Sequence, residues 1–358
     1  MDKKTELDRN VTSAKAVSII LMVLCHADVS LALRSFIATF HMPLFFFYAG
    51  YCLKEKYFLH PFEFVRRRIN GLYLPFVKWG LFFLLLHNIL FRLNIYNEFY
   101  GLGNYTSRLY TLGDFCKRGL LVITAMRGEE RMIGAYWFLH DLFFCSLIAF
   151  LIFKVTKSAI WGAGIILCIT IIAYWENISI PYWEINPKVM LGATFFAIGR
   201  LFKTYYLMDR ILKDRRVFCF FISFAFVVIG TYANHVSMFE VNFNNLLLYV
   251  VCATAGTVWI HIISFYLLKN RKQISKILNF IGEHTMTILT WHFSSFKIIS
   301  VSIILIYHLD VRILAQHPTI IEYSEKGWWM LYTLVGIGVP CVTAQIRAKI
   351  KGKVLKAL

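Results

Sequence analysis

From Leu142 to Phe153, from Val217 to Asn234 and from Leu246 to His261 the chain runs without a Lys, Arg, Asp or Glu. About 20 apolar residues are enough to cross about 30 Å of hydrocarbon as a helix, and apolar stretches of this kind recur from end to end. The bilayer holds no water to bond free N–H and C=O groups, so a helix, which satisfies them internally, is the economical spanning form. The expected fold class is all-α, a polytopic membrane helical bundle. Composition agrees. Of 358 residues 58% are hydrophobic, and the mean hydropathy of +0.61 implies more apolar surface than a soluble domain can hide.

Ten spans are expected, at about 11–31, 35–54, 72–92, 134–153, 158–175, 187–203, 217–234, 245–268, 279–307 and 328–346. The ninth is too long for one straight helix, and Lys297 near its middle points to a break or tilt. The net charge of +18 would raise nucleic acid for a soluble chain. Here no basic domain stands outside the spans, so no nucleic-acid partner is expected. With the N-terminus placed inside, most of the 38 Lys and Arg fall on inner segments, among them Arg66, Arg67 and Arg68. The positive-inside rule then puts both termini in the cytoplasm, with a transmembrane domain at 9–346 and a basic cytoplasmic tail at 347–358. The eight cysteines include no C-x-x-C pair and read as small core residues. The longest loop, 93–133, lies outside and carries Tyr96, Tyr100, Tyr105 and Tyr110, then Arg127, Glu129, Glu130 and Arg131. Such a loop suits sugar binding and interfacial packing equally well.

Ionisable residues within spans are costly and mark function. Lys15 and His26 are eleven positions apart, three helical turns plus about 20°, so they share one face about 16 Å apart, with Ser18 and Met22 on the stripe between. Counting rise from each span boundary places His26, His41, His140 and His292 at comparable depth, just outside the midplane. Each could simply tie helices together. As a set, they are what a buried proton-transfer site would use, because imidazole titrates near neutrality. Asp28 points away from the His26 face on an ideal helix, so Asp141, from another helix, is the expected orienting carboxylate. No metal is expected, because no H-x-x-x-H or H-E-x-x-H spacing occurs. Cys25 cannot face His26 from the adjacent helical position.

These residues resemble a family. A basic residue, ten positions and a His open the first span, here Lys15 and His26, with Lys in place of the commoner Arg. Phe40-His41-Met42-Pro43 through Tyr51 is a second match, and Phe64 through Phe76, with its three arginines, a third. A second Arg often follows three places on; here Gly71 stands there. Trp137-Phe138-Leu139 and the run from Ile281-Gly282 to Trp291-His292 also match. Over roughly 9–346 the chain resembles the acyltransferase-3 family of bacterial integral-membrane O-acyltransferases, in its fucose 4-O-acetylase-like branch. The resemblance implies transfer of an acyl group, usually acetyl, from acyl-CoA (acetyl-CoA) to a hydroxyl of a cell-surface or lipid-linked glycan, in the bacterial cytoplasmic (inner) membrane.

The residue chemistry fits that activity. Arg66, Arg67 and Arg68 can bind the donor's phosphates, with Lys15 adding a charge at the mouth of the first span. The slim arm of the donor would follow the Lys15–Met22 stripe to His26, the expected general base. His292, His41 and the Trp137 indole are expected candidates to donate to the oxyanion, with His140 and Asp141 in support. The expected partners are acyl-CoA, a glycan or glycolipid acceptor and the lipid bilayer. Two rival readings are a proton-coupled transporter, with the histidines as a relay, and an inactive homologue serving glycan assembly.

Overall fold

The computed structural model describes residues 3–100, 106–234, 238–270 and 272–357, and the side chains among them from 9–100, 106–233, 238–269 and 272–350. Tyr105, the side chains of Lys3 and Lys4, and those of the tail beyond 350 lie outside that description.

The described chain is helical, its one β feature being an isolated bridge between Ile180 and Ile185. Fourteen principal helices follow in order: α1 Lys3–His26, α2 Leu31–Ala38, α3 His41–Tyr51, α4 Pro61–Arg68, α5 Leu74–Arg92, α6 Leu112–Ala125, α7 Trp137–Thr156, α8 Ala159–Trp175, α9 Pro187–Thr204, α10 Arg216–Asn234, α11 Leu246–Asn270, α12 Lys272–Glu283, α13 Thr285–Tyr307 and α14 Trp329–Ala357. Among the described residues, seven helical stretches are long and apolar enough to cross a membrane, Leu31–Tyr51, Pro61–Arg92, Arg131–Thr156, Arg216–Ala233, Leu246–Lys269, Thr285–Tyr307 and Ile321–Ile350. Helix α8 is apolar but shorter, at 17 residues. Helices α1 and α9 are more polar and are enclosed by their neighbours. The chain is a multi-pass helical membrane bundle.

Three expected spans are interrupted. The second kinks where Phe40, outside helical geometry, separates α2 from α3. The third begins earlier, because α4 runs into a π-helical turn, Ile69–Tyr73, and on into α5. The break expected near Lys297 instead falls at His284, between the amphipathic α12 and α13. The long run therefore divides into an interfacial helix and one span of ordinary length.

Helix α1 is the hub, packed against α3, α11, α12, α13 and α14. Apolar contact drives helix association weakly in lipid, so close approach through small residues has to hold such a bundle. A Cβ on Gly282 of α12 would lie 2.1 Å from the Thr12 carbonyl oxygen of α1. Helices α3 and α9 touch twice in this way. A Cβ on Gly50 would lie 1.8 Å from the Phe196 carbonyl oxygen, and one on Gly199 1.9 Å from that of Phe47. A buried polar knot adds specificity, with His261 of α11 bonded to Asn10 of α1 at 2.9 Å and to Tyr48 of α3 at 2.6 Å.

Gly199→Leu should therefore force α3 and α9 apart and cost about 1–3 kcal/mol or more. In detergent its thermal midpoint should fall by several degrees, and an unchanged midpoint would show that these backbones do not meet.

Candidate functional site

The seam of α1 expected from the sequence opens into a cavity of about 210 Å³. Lys15, Ile19 and Met22 form its α1 wall at helical spacing. Met42, Phe45 and Ala49 of α3 face them, and Phe138, Leu139, Leu142, Met286 and Leu289 close the sides. Two cations stand on this mostly apolar lining, Lys15 and Arg68, and no carboxylate does. Arg68 ends α4, its guanidinium carbon 4.8 Å from the Phe64 ring centroid and 5.9 Å from that of Phe196. Gly71, in the π-helical turn, leaves the wall open, with nothing within 4 Å of an added Cβ.

The three arginines do not act together. Consecutive helical positions diverge by about 100°. Arg67 turns to Glu63 at 3.2 Å, Arg66 is exposed, and Arg68 alone of the three reaches the cavity. Beside them Lys56 also bonds Glu63, at 2.8 Å, so that carboxylate is shared between Lys56 and Arg67 at the start of α4.

One turn beyond Met22 stands His26, the last residue of α1, and three positions beyond Leu289 stands His292 of α13. Their ring centroids are 5.4 Å apart. Phe293 packs against both, at 4.9 Å from His26 and 3.9 Å from His292. His26 is partly exposed and makes no hydrogen bond to a described residue.

The tautomer of His292 follows from its partners. Its Nδ1 lies 3.0 Å from the carbonyl oxygens of both Ile288 and Leu289. A carbonyl only accepts, so Nδ1 carries the hydrogen, and in the neutral ring Nε2 is a bare lone pair. That Nε2 is buried without a partner. His41 is fixed in the same way by Nδ1 donating to Ile37 O at 2.8 Å, and it lies within electrostatic reach of His26. Neutral His292 and His41 thus offer acceptors where the sequence reading looked for oxyanion donors.

The other candidates lie apart from this pair. Trp137 packs on Phe239 at 5.3 Å, with Lys188 over its ring, and is not on the cavity wall. His140 pairs with Asp141 at 2.8 Å through Nδ1 and with the Trp183 carbonyl oxygen at 2.7 Å through Nε2. Asp141 adds Lys188 at 3.7 Å. The expected orientation of His26 by Asp141 is therefore corrected: that carboxylate is engaged by His140 and Lys188, while His140 ties α7 to the connection before α9.

One imidazole escaped the sequence reading. His317 lies on the connection between α13 and α14, and its ring centroid is 4.5 Å from that of Phe293. In a connection, helical periodicity gives no depth, so no signal marked it. Lys297 does not break α13. Its Nζ reaches over to donate to the carbonyl oxygens of Leu314 at 2.9 Å and Gln316 at 2.5 Å, pinning this connection.

A family model describing an acyltransferase domain, acyltransferase-3, matches residues 8–344. The chain belongs to this family. No curated protein and no solved structure matches it. The acyltransferase-3 match takes in the cavity lining from Lys15 to Leu289 as well as His26, His292 and His317 beyond it, and with the helical bundle makes the chain a membrane acyltransferase.

Because His140 serves the α7 tie and not the His26 pair, His140→Gln should keep acyl transfer within about threefold. It should also lower stability by about 1–3 kcal/mol through lost buried hydrogen bonds. A loss of transfer comparable to that of His26→Ala, at parent stability, would put His140 back in the site.

Proposed function

We propose that this acyltransferase moves an acetyl group from cytoplasmic acetyl-CoA to a hydroxyl of a cell-surface or lipid-linked glycan in the bacterial cytoplasmic membrane, with both termini inside, as in the fucose 4-O-acetylase-like branch. One observation carries the reading: a single cavity has two unpaired-wall cations, Lys15 and Arg68, and comes within one helical turn of the His26–His292 pair.

Its shape fits the donor. A cavity of about 210 Å³ is below the usual range of about 300–1,000 Å³ for whole ligands. The nucleotide therefore stays at the mouth, its phosphates against Lys15 and Arg68, and only the pantetheine arm and a short acyl group enter. Arg is suited to phosphate by its planar fork, Lys by its point charge. The apolar walls from Ile19 to Met22 and from Met42 to Ala49 receive the arm without competing for its polar groups.

At the far end His26 acts as general base. It takes the proton of the acceptor hydroxyl as that oxygen bonds to the thioester carbonyl carbon. The C–S bond then breaks, and His26 returns the proton to the thiolate, giving the ester and free thiol. His292 Nε2 is without a partner, and with the two rings drawn together its lone pair would accept the remaining N–H of His26. It would set which nitrogen faces the acceptor, a role a carboxylate fills in other base–orienter pairs. Proton relay across the membrane is less well served, because His140 is removed from the imidazole group by its own partners.

Purified protein in lipid nanodiscs, given labelled acetyl-CoA and surface polysaccharide from cells lacking the protein, tests the reading. His26→Ala should abolish transfer. Gly71→Leu, which fills open wall space, and Arg68→Ala should each raise the donor KM by about tenfold, ~1.4 kcal/mol, while Arg66→Ala stays within about twofold. Equal effects at Arg66 and Arg68 would contradict donor binding in this cavity.

A further inference from the structure

Acyl transfer needs a hydrogen-bond donor for the oxyanion that forms at the thioester carbonyl, and the residues closest to His26 do not supply one. His292 and His41 have each spent Nδ1–H on backbone carbonyls and present lone pairs. The Trp137 indole lies off the cavity wall. On the acyl-transfer reading above, we infer that His317 is the missing donor: the third imidazole on Phe293, delivered from the outer connection, with an N–H free for the developing oxyanion.

The geometry singles it out. Phe293 touches three imidazoles, at 4.9 Å for His26, 3.9 Å for His292 and 4.5 Å for His317. His317 makes no side-chain hydrogen bond to a described residue, and its Nδ1 is buried without a partner. Unlike His292 and His41, no carbonyl fixes its tautomer. Burial first, then the charges of Lys297 and Arg131, push its imidazole well below the ordinary range, so the neutral ring carries one N–H.

The connection bearing His317 is held as a preorganised donor requires. Lys297 grips the carbonyl oxygens of Leu314 and Gln316 from α13. Arg131 donates to the His317 carbonyl oxygen at 3.4 Å. Thr319 donates to Asp28 at 2.7 Å, and Ser324 donates to the Ala27 carbonyl, so the strap is tied to the two residues that follow His26. Tyr332 receives the Ile320 N–H at 3.2 Å. General base and donor are thus joined to one frame. Lys297 and Arg131, neither in an ion pair with a described carboxylate within 4.0 Å, add positive potential on the side where negative charge would develop.

The test uses the full-length protein in nanodiscs, with labelled acetyl-CoA and surface polysaccharide from cells lacking the protein. His317→Ala should lower kcat by about 100-fold or more with the donor KM within about threefold, at a thermal midpoint close to the parent's. His317→Gln, which restores an N–H donor, should recover at least about a tenth of parent kcat. A purely structural role would instead move the midpoint and leave Gln no better than Ala. Activity of His317→Ala equal to the parent, or failure of Gln to recover more than Ala, overturns the proposal while leaving the transfer reading intact. A parent protein that moves no acetate overturns both.

Discussion

The bundle is arranged around one crowded helix. Helix α1 has neighbours on nearly every side, close enough that Gly282 admits the Thr12 carbonyl where a methyl group would not fit. A helix so enclosed has little freedom to tilt or turn in lipid. Its seam beside the cavity therefore has a fixed direction, running from Lys15 to Met22 with His26 one turn beyond. Charge at one end, apolar wall along the length and imidazole at the other follow from three turns of helix held still.

At the His26 end, backbone carbonyls decide the chemistry. Each of His41 and His292 sits one turn after a carbonyl that captures its Nδ1–H, and the capture turns a residue able to donate or accept into an acceptor. His26, ending its helix, has no such bond and keeps both nitrogens available. The strap of residues 311–324 then closes over the end of α1, tied at Asp28 and Ala27. Burial pushes the Asp28 carboxyl up, opposed by the Thr319 hydroxyl and by Arg34 at 3.8 Å.

Much of this could be read from residues alone. The apolar runs showed a helical membrane bundle, and the period of 3.6 placed Lys15, Met22 and His26 on one line before any neighbour was known. Depth counting brought His26 and His292 together correctly, because both lie in regular helices. Depth alone did not separate His140, which lies at a similar count along its span but turns to Trp183 and Asp141 as a helix tie, since depth says nothing of direction around the bundle. The arginine triplet looked like one phosphate site, yet helical divergence leaves only Arg68 on the cavity. His317 was illegible, because its place depends on Lys297, Arg131 and Asp28 contacts distant in sequence.

An acetyl-CoA analogue with a photoreactive diazirine at the acyl terminus would report directly where the acyl group goes. Irradiated with the protein in nanodiscs and mapped by mass spectrometry, it should label the upper wall of the cavity, Met22, Met42 and Leu289, and lose that labelling when Gly71 is replaced by Leu. Labelling confined to lipid-facing residues, or to the charged pocket around Arg108 and Glu184, would contradict a donor route along α1 to His26.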